Sequence, residues 1–125
     1  MIEATALPAA WQVSFRAGAN EGLADTVKNG LGGSAGMRPH ELLEASLATC
    51  MTISARIALA DLGLPCDEAS VRVRVHLERE ESATRFRYQL VLDPRLEPHR
   101  PALMNQIERS PVRATLSKQL IFEPA

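Results

Sequence analysis

The chain has 125 residues, of which 46% are hydrophobic, and this is enough for one domain, residues 1–125, with a hydrophobic core. Its 14 basic and 15 acidic residues give a formal net charge of -1, and aromatic residues make up only 4%. This composition argues against nucleic acid and membrane surfaces as partners, because it offers neither a basic surface nor a set of stacking side chains.

The N-terminal third of the chain predicts one strand followed by loops. Trp11, Val13 and Phe15 alternate with polar residues, which is typical of a half-buried strand. Residues 17–38 hold six of the seven glycines and predict turns, with a short strand at Leu23–Val27. The glycine spacing matches neither of the common phosphate-binding patterns, so we expect a flexible connection there.

The next segment is the longest apolar one and predicts a single helix from Pro39 to Gly63. Proline suits the first turn of a helix, and Gly63 and Pro65 favour its end. The wide apolar sector is rich in Ala and Ser, so we expect burial on several sides, with a second copy of the chain supplying part of the cover. No uninterrupted apolar run reaches the roughly 18 residues of a membrane span.

The C-terminal half predicts a hairpin and short helices. Val71–Leu77 and Phe86–Leu92 alternate between apolar and polar residues, with a polar turn at 80–84 between them. The segments that follow predict a helix, a further helical turn and a closing strand at Pro98–Glu108, Val112–Leu116 and Leu120–Phe122. Antiparallel strands beside segregated helices indicate an α+β fold.

The chain has two cysteines, Cys50 and Cys66. Its N-terminus lacks the pattern of a signal peptide, so we expect a cytoplasmic location with reduced thiols. Cys50 lies roughly 20 Å before the end of the predicted helix, which excludes an intrachain disulfide but leaves one between subunits open. Asp67 and Glu68 disfavour a thiolate at Cys66, which we interpret as structural or incidental, with a role between subunits left open. No Cys/His cluster has the spacing of a metal site.

Two motifs resemble those of the OsmC/Ohr family, the proteins of osmotic induction and organic hydroperoxide resistance. Residues 39–50, PHELLEASLATC, resemble the family's helix signature, and residues 110–116, SPVRATL, resemble a second motif that usually begins with Cys-Pro. The resemblance implies an OsmC-like intertwined homodimer, in which curved antiparallel sheets wrap two long central helices and two active sites lie at the subunit interface. It also implies that Cys50 attacks a peroxide as a thiolate, and that a second Cys resolves the resulting sulfenic acid.

Three positions depart from the family pattern. Ser110 replaces the second Cys, Asn20 replaces an Arg of the N-terminal glycine-bearing loop, and His40 replaces a carboxylate ten residues before Cys50. An internal disulfide is therefore absent, since serine cannot form one. Arg16 or Arg38 are candidates to replace the arginine, and Glu41 is a candidate for the carboxylate, although it is rotated by about 100° from His40.

These residues support two hypotheses. In the first, Cys50 is the nucleophile of a one-Cys hydroperoxide reductase, with Glu41, His40 and Ser110 around it, an external thiol or dithiol as reductant and no other cofactor. In the second, the homodimer is catalytically degenerate and binds a small apolar ligand at its interface. The retained Cys50 favours the first, and the loss of its partners favours the second. The sequence leaves open whether the chain is an enzyme.

Overall fold

The computed structural model describes all 125 residues, Met1–Ala125. Its internal contacts group them into two units, residues 1–43 and 44–125. The first unit holds five strands and the first turn of the long helix, and the second holds the rest of that helix, a long hairpin and two shorter helices.

The first unit contains two small antiparallel sheets. Strands β1 (Glu3–Ala6), β2 (Val13–Ala17) and β3 (Asn20–Ala24) pair in that order. Strands β4 (Val27–Lys28) and β5 (Leu31–Gly32) form a separate hairpin. The sequence pattern does not reveal β1, β4 or β5, because runs this short show little periodicity.

The predicted strands of this unit differ from the observed ones at their ends. β2 begins after Trp11, whose left-handed backbone (φ 56°) belongs to the preceding turn and whose indole N–H donates to the Lys28 carbonyl. The predicted strand Leu23–Val27 is divided, because β3 ends at Ala24 and the buried Asp25 follows it. Both differences arise where side-chain hydrogen bonds compete with strand pairing.

The long helix, α1, spans Pro39–Asp61 and begins at the predicted residue. It ends just before Gly63, which adopts a left-handed conformation with φ 69°. The Gly63 N–H donates to the Ala60 carbonyl at 3.0 Å, and the Leu64 N–H donates to the Leu59 carbonyl at 2.9 Å. This is the Schellman arrangement, in which a glycine reverses the chain at low conformational cost.

The predicted hairpin is confirmed. Strands β6 (Val71–Arg79) and β7 (Thr84–Leu92) pair antiparallel over nine residues each, from Val71 opposite Leu92 to Arg79 opposite Thr84. Alternate side chains on each strand are buried or half-buried, and most of the others are exposed, with Glu78 and Val91 as half-buried exceptions. One face therefore contributes to the core, as the sequence alternation predicts.

Two short helices follow the hairpin. The predicted helix Pro98–Glu108 is observed as a 3-10 helix, Pro94–His99, that continues into α2, Arg100–Ile107. Helix α3, Pro111–Leu116, confirms the predicted helical turn. The predicted strand Leu120–Phe122 is wrong: these residues form no regular structure, and their side chains are exposed.

The core of the second unit lies between one face of α1, the hairpin and α2. Met51 and Leu59 of α1 and Leu103 and Ile107 of α2 are fully buried in this cluster. Burial of each such side chain contributes about 1.5–3 kcal/mol. These elements give the α+β class predicted from the sequence.

Only one face of α1 is buried by its own chain, whereas the sequence predicts burial on several sides. Ile53 and Ile57, on another face, are 57% and 49% exposed. By length and composition, α1 also passes the test for a membrane-crossing helix, although it has no uninterrupted apolar run of that length. Met51, Ala55 and Leu59 pack into the core described above, and a buried core helix has the same composition.

Candidate functional site

Cys50 lies at the edge of the packed face of α1. Its neighbours Leu47, Met51 and Ser54 are buried, while Ile53 and Ile57 are exposed. The Cys50 side chain is half-buried and its thiol is free. An inert packing cysteine is usually fully enclosed, whereas Cys50 is only half-buried and lies beside apolar side chains.

Glu41 and Arg38 form a compact pair at the start of α1. The Glu41 Oε1 accepts the Arg38 backbone N–H and the Arg38 Nε–H, each at 3.0 Å. The backbone hydrogen bond, followed by that from the guanidinium, lowers the pKa of the Glu41 carboxyl below its usual value. Of the two arginines considered as replacements for the loop arginine, Arg38 is therefore the one paired with Glu41, whereas Arg16 lies 3.9 Å from Glu3.

The helix does not bring Glu41 or His40 to the thiol of the same chain. Glu41 is nine residues from Cys50 along α1, which corresponds to about 13.5 Å of axial rise and two and a half turns. His40 is ten residues away, or about 15 Å, and its side chain is exposed. Neither group is within hydrogen-bond reach of Cys50 in one chain. The first hypothesis places both groups around Cys50, and a single chain does not bring them there.

The glycine-rich segment before α1 is ordered by a buried carboxylate. Asp25 is only 2% exposed, and its two oxygens accept the N–H groups of Thr26 (2.8 Å) and Ala35 (3.1 Å). This clamp contradicts the expectation of a flexible connection. The segment lines a cavity of about 340 Å³ together with Arg38 and Glu41.

Ser110 occupies the N-cap position of α3, as its type and the following proline predict. Its hydroxyl, however, caps nothing: the residue is fully buried and the Oγ has no hydrogen-bond partner. A buried hydroxyl without a partner is unfavourable, whereas a thiol at the same place forms only weak hydrogen bonds and loses little. The surroundings of Ser110 therefore suit a less polar group than the one present.

Cys66 is half-buried and packs against the core of the second unit, and its thiol is also free. It lines a cavity of about 230 Å³ with Asp67 and Glu68, and also with Arg56 of α1. No group of three or more His, Cys, Asp or Glu side chains is placed to hold a metal ion.

The sequence does not predict a third cavity, of about 250 Å³, in residues 44–125. Its floor and walls come from α1, β7 and α3, and its lining residues are Leu47, Met51, Thr84, Phe86, Tyr88, Arg113, Leu116 and Ser117. The spacing of its lining residues indicates which of them share a face of one element, since positions two apart on a strand and three or four apart on a helix point the same way.

Residues 31–123, about three quarters of the chain, match the family model described as OsmC-like protein. The chain belongs to the OsmC-like family. The match confirms the resemblance that its two motifs predict. No curated protein matches this OsmC-like chain.

Solved structures show the same fold. The OsmC-like chain is similar to an osmotic stress induced and detoxification response protein from Psychrobacter arcticus 273-4, with a TM-score of 0.70 and 20% identity over 91% of this chain and 85% of the other. An OsmC-like protein from Mycoplasma pneumoniae gives a TM-score of 0.65 and 12% identity over 93% and 85% of the two chains. An organic hydroperoxide resistance protein OsmC from Legionella pneumophila gives 0.60 and 13% over 94% and 88%.

Proposed function

We propose that this OsmC-like protein is a one-Cys, thiol-dependent reductase of small organic hydroperoxides, with Cys50 as the nucleophile. The observation that carries the proposal is the free, half-buried thiol of Cys50 at the edge of the packed face of α1, within the segment that resembles the family's helix signature. The apolar side chains of Ile53 and Ile57 beside it suit an organic substrate better than hydrogen peroxide.

The chemistry divides into an oxidation, a condensation and a thiol–disulfide exchange. The Cys50 thiolate attacks the outer oxygen of ROOH, the O–O bond breaks, and the alkoxide leaves and takes a proton as ROH. The sulfenic acid then condenses with an external thiol R′SH, giving a mixed disulfide and water. A second R′SH releases R′SSR′ and restores Cys50, so one hydroperoxide oxidises two thiols. Ser110 cannot replace the first external thiol, because a hydroxyl forms no disulfide.

The proposed active form is a cytoplasmic homodimer. One chain leaves the face of α1 that bears Ile53 and Ile57 uncovered, and a second copy would bury it. Burial of that face would also enclose Cys50 in apolar surroundings. Light scattering at micromolar concentration tests the assembly: twice the mass of one chain supports it, and the mass of one chain contradicts it.

Intact-mass analysis tests the chemistry. We expect reduced protein to gain one oxygen from one equivalent of cumene hydroperoxide much faster than free cysteine reacts, and a thiol such as dithiothreitol to sustain turnover. Cys50→Ala should abolish both reactions, whereas Cys66→Ser is the matched control and should retain them. Full turnover by Cys50→Ala, or a Cys50 rate equal to that of free cysteine, would exclude the proposal.

A second candidate function is ligand binding without catalysis. It is favoured by the buried, unpartnered hydroxyl of Ser110 and by the use of Glu41 to cap α1. In that case a small apolar ligand occupies the homodimer interface beside Cys50. The ligand should slow alkylation of Cys50 by N-ethylmaleimide, but not that of Cys66, in a protein that shows no accelerated reaction with hydroperoxide.

A further inference from the structure

The cavity of about 250 Å³ between α1, β7 and α3 has a mixed lining, with buried apolar side chains at its base and exposed polar side chains at its rim. Leu47 and Met51 of α1, which are 2% and 0% exposed, form its floor. Phe86 and Tyr88 of β7 form a half-buried wall. The exposed members are Thr84, Arg113 and Ser117. An apolar floor below a rim that contains one cation is the shape of a site for an amphipathic anion.

Arg113 is positioned at this rim by the protein itself. Its Nη1 donates to the Glu108 carbonyl at 2.9 Å, and the Arg113 carbonyl accepts the Ser117 hydroxyl at 2.7 Å. One guanidinium nitrogen is therefore occupied, and the remaining N–H donors are available to a ligand. A guanidinium held in this way loses little conformational freedom when it binds a carboxylate.

The charge of Arg113 is not neutralised within its unit. The arginines of residues 44–125 that pair with a carboxylate are Arg85, Arg87, Arg95 and Arg100. Arg113 makes its hydrogen bond to a backbone carbonyl instead. A free guanidinium beside an apolar cavity selects a ligand that joins one negative charge to an apolar body.

We propose that this cavity binds a small monocarboxylate with an apolar body, its carboxylate on Arg113 and its body against Leu47, Met51 and Phe86. The volume corresponds to about eight waters at roughly 30 Å³ each, which limits the ligand to a short aliphatic or single-ring acid. This site is independent of the hydroperoxide chemistry proposed for Cys50, which does not line the cavity.

Calorimetric titration of the full chain with hexanoate tests the proposal, with hexanol as the uncharged analogue. We expect hexanoate to bind with a Kd of about 1 mM or tighter. We expect hexanol to bind at least fivefold more weakly. Arg113→Gln should weaken hexanoate binding at least fivefold while leaving hexanol unchanged. Arg109→Gln is the matched control, because Arg109 is exposed on the same segment and does not line the cavity.

A second variant separates loss of the site from loss of the fold. Leu116→Trp fills the cavity from α3 and retains Arg113, so it should abolish hexanoate binding without lowering the Tm. Absence of binding at 10 times the expected Kd of about 1 mM, equal affinity for hexanoate and hexanol, or unchanged binding by Arg113→Gln would each overturn the proposal.

Discussion

The Glu41 carboxylate bonds twice to Arg38, through the backbone N–H and through the side chain, with both donors 3.0 Å from the same oxygen. Glu41 is the third residue of α1, and from that position a carboxylate can satisfy the N–H of the residue preceding the helix. Its negative charge also lies at the positive end of the helix dipole. Glu41, a catalytic candidate in the sequence, thus caps the start of α1 in the single chain.

Glu41→Gln is expected to lower the Tm by a few degrees at pH 7, because it weakens this cap. The effect should depend on pH with a definite sign. The pKa of Glu41 is lowered from 4.5 in the folded chain, so its contribution to stability is complete above pH 4.5 and declines as the pH falls through the folded value. Thermal unfolding measures the difference in Tm between the variant and the unchanged protein, which should be smaller at pH 3 than at pH 7. The control is Glu81→Gln in the hairpin turn, whose Tm should equal that of the unchanged protein at both pH values.

Ser110→Ala is expected to raise the free energy of unfolding by about 1 kcal/mol, because it removes a buried hydroxyl that has no partner. Ser70 provides the contrast: it is also buried, but its Oγ accepts the Asp67 N–H at 2.9 Å. Ser70→Ala should therefore lower the free energy of unfolding by about 1–2 kcal/mol. Urea denaturation measures both. Equal effects of the two changes would mean that the Ser110 hydroxyl is satisfied in solution.

Ser110→Cys is expected to change how Cys50 is resolved. If the introduced thiol takes the role of the family's second Cys, hydroperoxide treatment should give a product that has lost two hydrogens, in place of one that has gained an oxygen. The control is Ser117→Cys, at the exposed C-cap of α3, which should still give the oxygen adduct. Peptide mapping of the oxidised protein identifies the bond. Equal products from the two variants would contradict a special role for position 110.

Ile53→Asp is expected to dissociate the proposed homodimer, because it places a charge on the uncovered apolar face of α1. The secondary structure should be retained, since Ile53 is 57% exposed in the single chain. Sedimentation measures the mass, and circular dichroism measures the helix content. Gln89→Asp, on the exposed face of β7, introduces the same charge elsewhere and should leave the mass unchanged.

The parts of the fold that the sequence predicts are those with long and regular periodicity. The nine-residue strands of the hairpin and the helix from Pro39 are examples, because each repeats its apolar pattern several times. Strands β4 and β5 have two residues each, which is too short for any repeat. The clamp at Asp25 depends on contacts to the loop ten residues away, which a local pattern does not contain.

The candidate site was predictable as a list of residues but not as an arrangement. The resemblance to the family motifs singles out Cys50 and Ser110. The structure adds that Cys50 is half-buried with a free thiol, whereas the Ser110 hydroxyl is buried and has no hydrogen-bond partner. The pairing of Glu41 with Arg38 in place of Arg16 depends on where the chain enters α1. No sequence pattern marks Arg113 as a site residue, because only the packing of α3 near β7 places it beside a cavity.

The chain after α3 has a consequence for the protein's abundance. Leu120, Ile121 and Phe122 follow one another without regular structure and are 53%, 69% and 89% exposed. Chaperones and proteases recognise exposed apolar segments of this kind. If the partner in the proposed homodimer covers this segment, an unassembled subunit would be degraded first, and the cellular level of the protein would follow the amount that assembles rather than the amount synthesised.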